Sequence, residues 1–281
     1  MILGCHCGMS GTTMMLGSVK EALSYEANAL MIYTGAPQNT ARKALKELHI
    51  EEALKLMDEY KIDRKNLIIH APYIINPATT DIEKRDFCIN FLTQEVKRSY
   101  AMGSKVMVLH PGNTLGNPLG LAIENIVSAV NQIIENTKET DVVIAFETMA
   151  GKGTEVGRTF NEIKALLDGI NNQSRVGVCL DTCHVFDSGY DIVNDYENVK
   201  KTFNEIVGFG RIKVIHVNDS KNPLGSHKDR HANVGDGFIG FETLHKICHD
   251  EDFKSIPKIL ETPYIDGLPP YKEEIAKLRQ N

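Results

Sequence analysis

A chain of 281 residues that is 42% hydrophobic and 24% charged can bury one large core, yet nowhere does it approach the roughly 18 consecutive apolar residues of a membrane span. The net charge of −6 and pI near 5.9 exclude nucleic-acid binding through bulk positive charge, so any phosphate-binding face must be local. The six cysteines form no CxxC pair and the opening MILGCHCG has no basic region followed by an apolar run, so buried thiols and a cytoplasmic protein are expected.

Taken in chain order, short runs rich in β-branched residues alternate with longer amphipathic ones. Strands are predicted at Ile2–Cys5, Ala29–Tyr33, Asn66–His70, Lys105–His110, Val142–Glu147, Val176–Asp181, Ile212–His216 and Lys258–Glu261. Helical spacing is clearest in Thr80–Met102, Pro118–Lys138, Thr159–Asp168, Asp195–Val207 and Pro270–Arg279. No linker or low-complexity tract divides the chain, so residues 1–281 read as a single domain. Eight strands alternating with helices imply a parallel sheet, either closed into a (β/α)8 TIM barrel, the expected fold, or open and doubly wound.

Six of the predicted strands end alike. LIIH70, VMVLH110, VVIAFE147, VGVCLD181, KVIH216 and KILE261 are apolar runs that stop on His, Glu or Asp. A single histidine at such a position is ordinarily a core residue. In a barrel, however, every C-terminal strand end lies on one face, where these six side chains would converge as an active site. Two loops extend the set: Asp181-Thr-Cys-His184 adds an imidazole in the turn after its strand, and Asp229-Arg230-His231, if extended, points a carboxylate and an imidazole the same way. Five histidines and four carboxylates without thiolate suit zinc, with manganese or iron as second choices, and nine groups are too many for one four-coordinate ion.

The stretches FETMAGKGTEVG (Phe146–Gly157), LDTCHVFDSGYD (Leu180–Asp191) and HVNDSKNPLGSHKDRHANVGDGFIG (His216–Gly240) make the chain resemble endonuclease IV, a family of zinc-dependent abasic-site endonucleases, over nearly its whole length. The resemblance implies three zinc ions. His70, His110 and Glu147 would hold one, Glu147 would bridge to a second held by Asp181, His216 and Glu261, and His184, Asp229 and His231 would hold the third. It also implies DNA contacts. Tyr73, with Ile74 beside it, falls where family members insert an aromatic into the duplex, whereas Gln38 and Thr40 in YTGAPQNTAR replace the Arg and Trp of some members. Lys152, Arg158, Lys221, Lys228 and Arg230 are candidates to hold flanking phosphates.

The activity so implied is hydrolysis of the phosphodiester 5′ to an abasic nucleotide in duplex DNA, leaving a 3′-hydroxyl and a 5′-deoxyribose phosphate, with related removal of phosphoryl groups that block 3′ ends. Glu147 and Glu261 would be catalytic, with a hydroxide shared by the ions that Glu147 joins. A monomer acting on DNA, with no membrane partner, is expected. The competing expectation is a metal-dependent sugar or sugar-phosphate isomerase of similar architecture, which accounts for Glu147, Asp181, His216 and Glu261 but leaves the other five ligand-type residues without a purpose.

Overall fold

Alternation of side chains along each strand explains why the apolar runs are nearly continuous: one set of residues faces the barrel lumen and the other faces a ring of helices. The computed structural model describes residues 1–280 and contains β1 (Leu3–His6), β2 (Ala29–Tyr33), β3 (Leu67–His70), β4 (Val106–Leu109), β5 (Val143–Glu147), β6 (Val176–Asp181) and β7 (Ile212–His216). A two-stranded antiparallel ribbon, β8 (Asp219–Ser220) and β9 (His231–Ala232), then precedes β10 (Lys258–Leu260). The strands β1 to β7 and β10 pair in parallel and close in the order β1-β10-β7-β6-β5-β4-β3-β2. Closure excludes the open-sheet alternative.

Two separate apolar clusters follow from the alternation. Ala29, Met31, Ile68, Val106, Val108, Ala145, Cys179, Val214 and Ile259 fill the lumen. Leu30, Ile32, Leu67, Ile69, Met107, Ile144, Phe146, Ile215 and Leu260 point outward into the larger cluster shared with the helices. Each fully buried large side chain contributes about 1.5–3 kcal/mol, so this double layer supplies most of the fold's stability. At Gly4 a Cβ would come within 1.7 Å of the Ala29 carbonyl oxygen, which is why β1 carries glycine where it meets β2.

The helices are Met14–Ser24, Ile50–Glu59, Ile82–Ala101, Leu119–Glu135, Phe160–Asp168, Tyr196–Ile206, Phe241–His249 and Tyr271–Leu278, with a short extra helix at Thr182–Asp187. Their ends are set by side chains. Asp81 caps Ile82–Ala101 by accepting from the Lys84 amide at 3.1 Å. Thr159 accepts from the Glu162 amide, and the Glu162 carboxylate turns back to the amides of Gly157 and Arg158. These caps make the helices start one or two residues later than periodicity alone suggests.

Candidate metal centre and cleft

The lumen register builds the site. Ile68, Val108, Ala145, Cys179, Val214 and Ile259 are lumen residues, and two positions after each come His70, His110, Glu147, Asp181, His216 and Glu261. A period of two keeps the same face, so the six polar groups stand directly above the apolar plug. Sideways register completes the convergence, since Asp181 and His216 are Cα partners across β6 and β7. His110 and Glu261 lie one residue past the ends of β4 and β10, not inside strands as the apolar runs suggest.

Glu147 is the hub. Its Oε2 lies 3.2 Å from His70 Nε2 and 2.9 Å from His110 Nε2, while Oε1 lies 3.0 Å from His216 Nδ1 and 3.5 Å from His184 Nδ1. His216 Nδ1 is also 3.0 Å from Glu261 Oε2 and 3.7 Å from Asp181 Oδ2. On the far side His184 Nε2 and His231 Nε2 approach Asp229 Oδ1 at 3.0 and 3.6 Å. Donor atoms lie within 4.8 Å of one another in each of the sets His70/His110/Glu147, Glu147/Asp181/His216/Glu261 and His184/Asp229/His231. All nine residues implied by the resemblance are therefore gathered in one place.

Two features of the loops differ from their sequence reading. Asp229 is not extended: its φ is +52°, a left-handed conformation, and β9 begins only at His231. The carboxylate and imidazole still meet, but through this turn and not through strand alternation. His184 sits in the helix Thr182–Asp187, where the Asp181 side chain caps the His184 amide at 2.8 Å. One residue thus starts the helix and faces the site.

The supporting groups carry no signal in the apolar pattern. Asn218 donates through Nδ2 to Asp181 Oδ2 at 2.7 Å and to Glu261 Oε2 at 3.3 Å, and its Oδ1 accepts from the Glu261 amide. Asp187 accepts from the Ser220 hydroxyl and from the amides of Lys228 and Asp229, which holds the left-handed turn. Asp219 accepts from the amides of Ser220, Gly235, Gly237, Ile239 and Gly240 and folds the long loop onto itself. A Cβ at Gly237 would lie 2.3 Å from the Ser220 carbonyl oxygen, so only glycine fits that cradle. The cue for these residues was their place inside the motif stretches at 180–191 and 216–240.

The electrostatics call for cations. Burial alone would raise Glu147, but the charges and hydrogen bonds of His110 and His216 hold its carboxyl well below the usual range. Burial would likewise raise Asp229, which His184, His231 and His110 instead bring down to about 2. Burial works against protonating His184 and His216, yet Asp181, Asp229 and Glu147 carry His184, and Cys179 with Glu261 and Glu147 carry His216, well above the ordinary imidazole value. The cluster thus draws in positive charge from whatever source is present. Buried Nε2 atoms of His216 and His231 have no hydrogen-bond partner, whereas Nδ1 of His70, His184 and His231 each meet a backbone carbonyl oxygen, those of Ala71, Thr148 and Glu261. Fixed imidazoles beside clustered carboxylates fit divalent metal ions of the kind that accept mixed N and O ligands. Cys179 and Cys183 also fall within 4.8 Å of donors in overlapping groups, although the sequence marks them only as buried thiols.

Above the centre lies a cleft of about 430 Å³ lined by Tyr73, His110, Asn113, Lys152, Glu155, Asp229 and Arg230, among others. Tyr73, in this lining, is 51% exposed, and its chain neighbour Ile74, outside the lining, is 45% exposed. Of the five candidate phosphate contacts, Lys152 and Arg230 line this cleft; Lys221, Lys228 and Arg158 do not, and Arg158 instead lies 4.0 Å from Glu162. Gln38 and Thr40 occupy the loop after β2 and also lie outside the lining. Glu155 is an unanticipated member, its carboxyl raised by burial and accepting from the Lys152 amide at 2.8 Å. No helix among the described residues is long and apolar enough to cross a membrane.

A family described as xylose isomerase-like TIM barrel matches residues 19–281. A probable endonuclease 4 of Acholeplasma laidlawii is 53% identical, the match covering 99% of this chain and 95% of that protein. The crystal structure of endonuclease IV from Thermus thermophilus superposes with a TM-score of 0.84 at 28% identity, covering 99% of this chain and 97% of the other. A D-tagatose 3-epimerase-like protein reaches a TM-score of 0.71 at 18% identity, covering 99% and 96%, and shares the fold alone.

Proposed function

The chain belongs to the endonuclease IV family of TIM-barrel, DNA-cleaving hydrolases, and from that premise we propose that it hydrolyses the phosphodiester on the 5′ side of an abasic nucleotide in duplex DNA. The products are a 3′-hydroxyl and a 5′-deoxyribose phosphate. The same centre would clear phosphoryl groups from blocked 3′ ends. The observation that carries the reading is the gathering of all nine His, Asp and Glu side chains around Glu147 beneath a cleft with an exposed aromatic at its rim.

In this reading His70, His110 and Glu147 would hold one zinc ion, Glu147 with Asp181, His216 and Glu261 a second, and His184, Asp229 and His231 a third, each set having its donor atoms within 4.8 Å of one another. Such ions, when bound, supply a nucleophile from water at neutral pH and neutralise charge growing on the phosphoryl oxygens. The chain's own residues do the rest. Glu147 divides its two oxygens between the two sides of the centre and so fixes their separation. Asn218 holds the Asp181 and Glu261 carboxylates in one orientation, and Asp187 fixes the turn that presents Asp229. Lys152 and Arg230 offer their cationic heads to phosphates flanking the cut. Tyr73 and Ile74 fill the space left by the missing base, which lets the lesion nucleotide leave the stack at low cost.

A sugar-isomerase reading uses four of the nine side chains and gives no role to the exposed Tyr73 and Ile74. Metal-loaded protein incubated with an abasic duplex, an undamaged duplex and a panel of ketoses separates the two. Scission of the abasic strand alone, with a 3′ end that primes a polymerase, is the expected result; conversion of a ketose without scission would overturn it.

A further inference from the structure

The inner face of helix Ile82–Ala101 packs on the barrel through Leu92 and Val96, yet between them it buries the carboxylate of Glu95 completely. An ionised carboxylate taken out of water costs several kcal/mol unless fully paired, and an apolar residue of similar size is often at least as stable there. Stability alone therefore does not account for Glu95. Its partners all belong to or face the loop after β2. Thr34 Oγ1 donates to Oε2 at 2.5 Å, Arg42 Nε donates to Oε1 at 2.9 Å, and Arg42 Nη2 reaches Oε2 at 3.4 Å.

These contacts join the two ends of one loop. Arg42 Nη1 also donates to the carbonyl oxygens of Asn39 and Ala41, at 3.1 and 2.8 Å, and its guanidinium lies 5.0 Å from the Phe91 ring centroid. Arg98 closes the other side, with Nη2 3.5 Å from the Thr34 carbonyl oxygen and Nε 4.0 Å from Glu95 Oε1. Gly35 is pressed so closely against Ala41 and Arg42 that a Cβ there would meet both at 2.9 Å. At the tip between these anchors stands Gln38, on the face where all the strands end.

We propose that Glu95 is a positioning residue for duplex recognition: its buried carboxylate ties Thr34 to Arg42 and so sets where the loop holds the exposed Gln38 on the face where the strands end. The proposal rests on the abasic-endonuclease reading above for its substrate. It assigns the clamp no part in the chemistry. Freeing the loop leaves the centre around Glu147 untouched and loosens only what the loop presents to DNA.

The test compares the metal-loaded wild type with Glu95→Gln and with the double variant Glu95→Met/Arg42→Met, whose apolar pair fills the site without a charge and guards against simple misfolding. On an abasic duplex KM should rise about tenfold with kcat within about twofold, the pattern of lost positioning and not of lost chemistry. On bis-p-nitrophenyl phosphate, a phosphodiester too small to reach the loop, both constants should stay unchanged. Amide hydrogen exchange in residues 35–41 should quicken in both variants while that of the barrel strands does not. An unaltered duplex KM, or equal losses on both substrates, would overturn the proposal. Should wild type leave the abasic duplex intact, the functional reading fails instead, and the exchange measurement still decides whether Glu95 holds the loop.

Discussion

Two layers of the same lumen, one residue pair apart, do opposite work. Met31, Ile68, Val108, Ala145, Cys179, Val214 and Ile259 form a plug in which only shape and volume matter. Two residues further along the same runs, His70, His110, Glu147, Asp181, His216 and Glu261 form a layer of imidazoles and carboxylates whose donor atoms gather in groups within 4.8 Å. The plug excludes water from below and fixes the strands. That rigidity is what allows the upper layer to hold like charges close together, at a cost the lower layer offsets.

The largest effect should come from the hub. Glu147→Gln keeps the volume but removes the charge shared across the centre, and an amide offers only one good donor oxygen for the two sides. Turnover on an abasic duplex should fall by about a thousandfold or more, equivalent to several kcal/mol of transition-state stabilisation. Prolonged treatment of wild type with a strong chelator should abolish the activity, and added zinc should restore it. Without metal the variant should unfold at a lower temperature than chelator-treated wild type, because the Glu147 carboxylate is then held by the buried His110 and His216. Turnover of the variant restored to the wild-type level by excess zinc would mean that the charge of Glu147 is not what the upper layer requires.

The converse case is Ile68→Ala, which removes most of a fully buried side chain below His70. A cavity there should cost about 2–5 kcal/mol of unfolding free energy by denaturant titration. Below its unfolding temperature the variant should keep turnover within a small factor of wild type. A turnover loss as deep as that of Glu147→Gln would mean that the plug tunes the site directly and does not merely carry it.

The upper layer was legible because strand alternation maps one-dimensional spacing onto one face, and six apolar runs ended on His, Asp or Glu. The alternation of eight strands with helices forecast the parallel sheet and favoured the barrel over an open one. What spacing could not reveal were partners chosen by the turns. Asn218 serves Asp181 across 37 residues and Glu261 across 43, and Glu95 reaches Thr34 across 61. Asp229 points into the centre only because its backbone is left-handed, a state that the sequence reading as an extended segment missed. Helix Thr182–Asp187 was read as a turn because its six residues are too few for periodicity to register.

Asn218 tests how far the upper layer depends on groups outside it. Asn218→Ala leaves all nine candidate ligands in place but frees the Asp181 and Glu261 carboxylates from a common donor. Supporting hydrogen bonds of this kind are worth about 10–100-fold in metal affinity or activity. The expected outcome is weaker zinc retention against a graded chelator, with activity recovered at high zinc. Failure of excess zinc to restore turnover would place Asn218 among the groups that act on the substrate itself.

The smallest effect should come from the rim, where neither layer reaches. Tyr73 is half exposed above the cleft and makes no hydrogen bond to any of the nine gathered residues, so Tyr73→Ala should leave zinc retention and unfolding unchanged. A stacking side chain is worth about 1–3 kcal/mol per base, so binding of an abasic duplex should weaken by roughly tenfold or more. Binding of an intact duplex should change little, since no vacancy in the stack admits the ring, and hydrolysis of bis-p-nitrophenyl phosphate should not change at all. Discrimination between abasic and intact DNA would then shrink without any change in the chemistry. Equal loss on the duplex and on the small phosphodiester would place Tyr73 with the structural support of the centre, and the upper layer would have to be extended to include the rim.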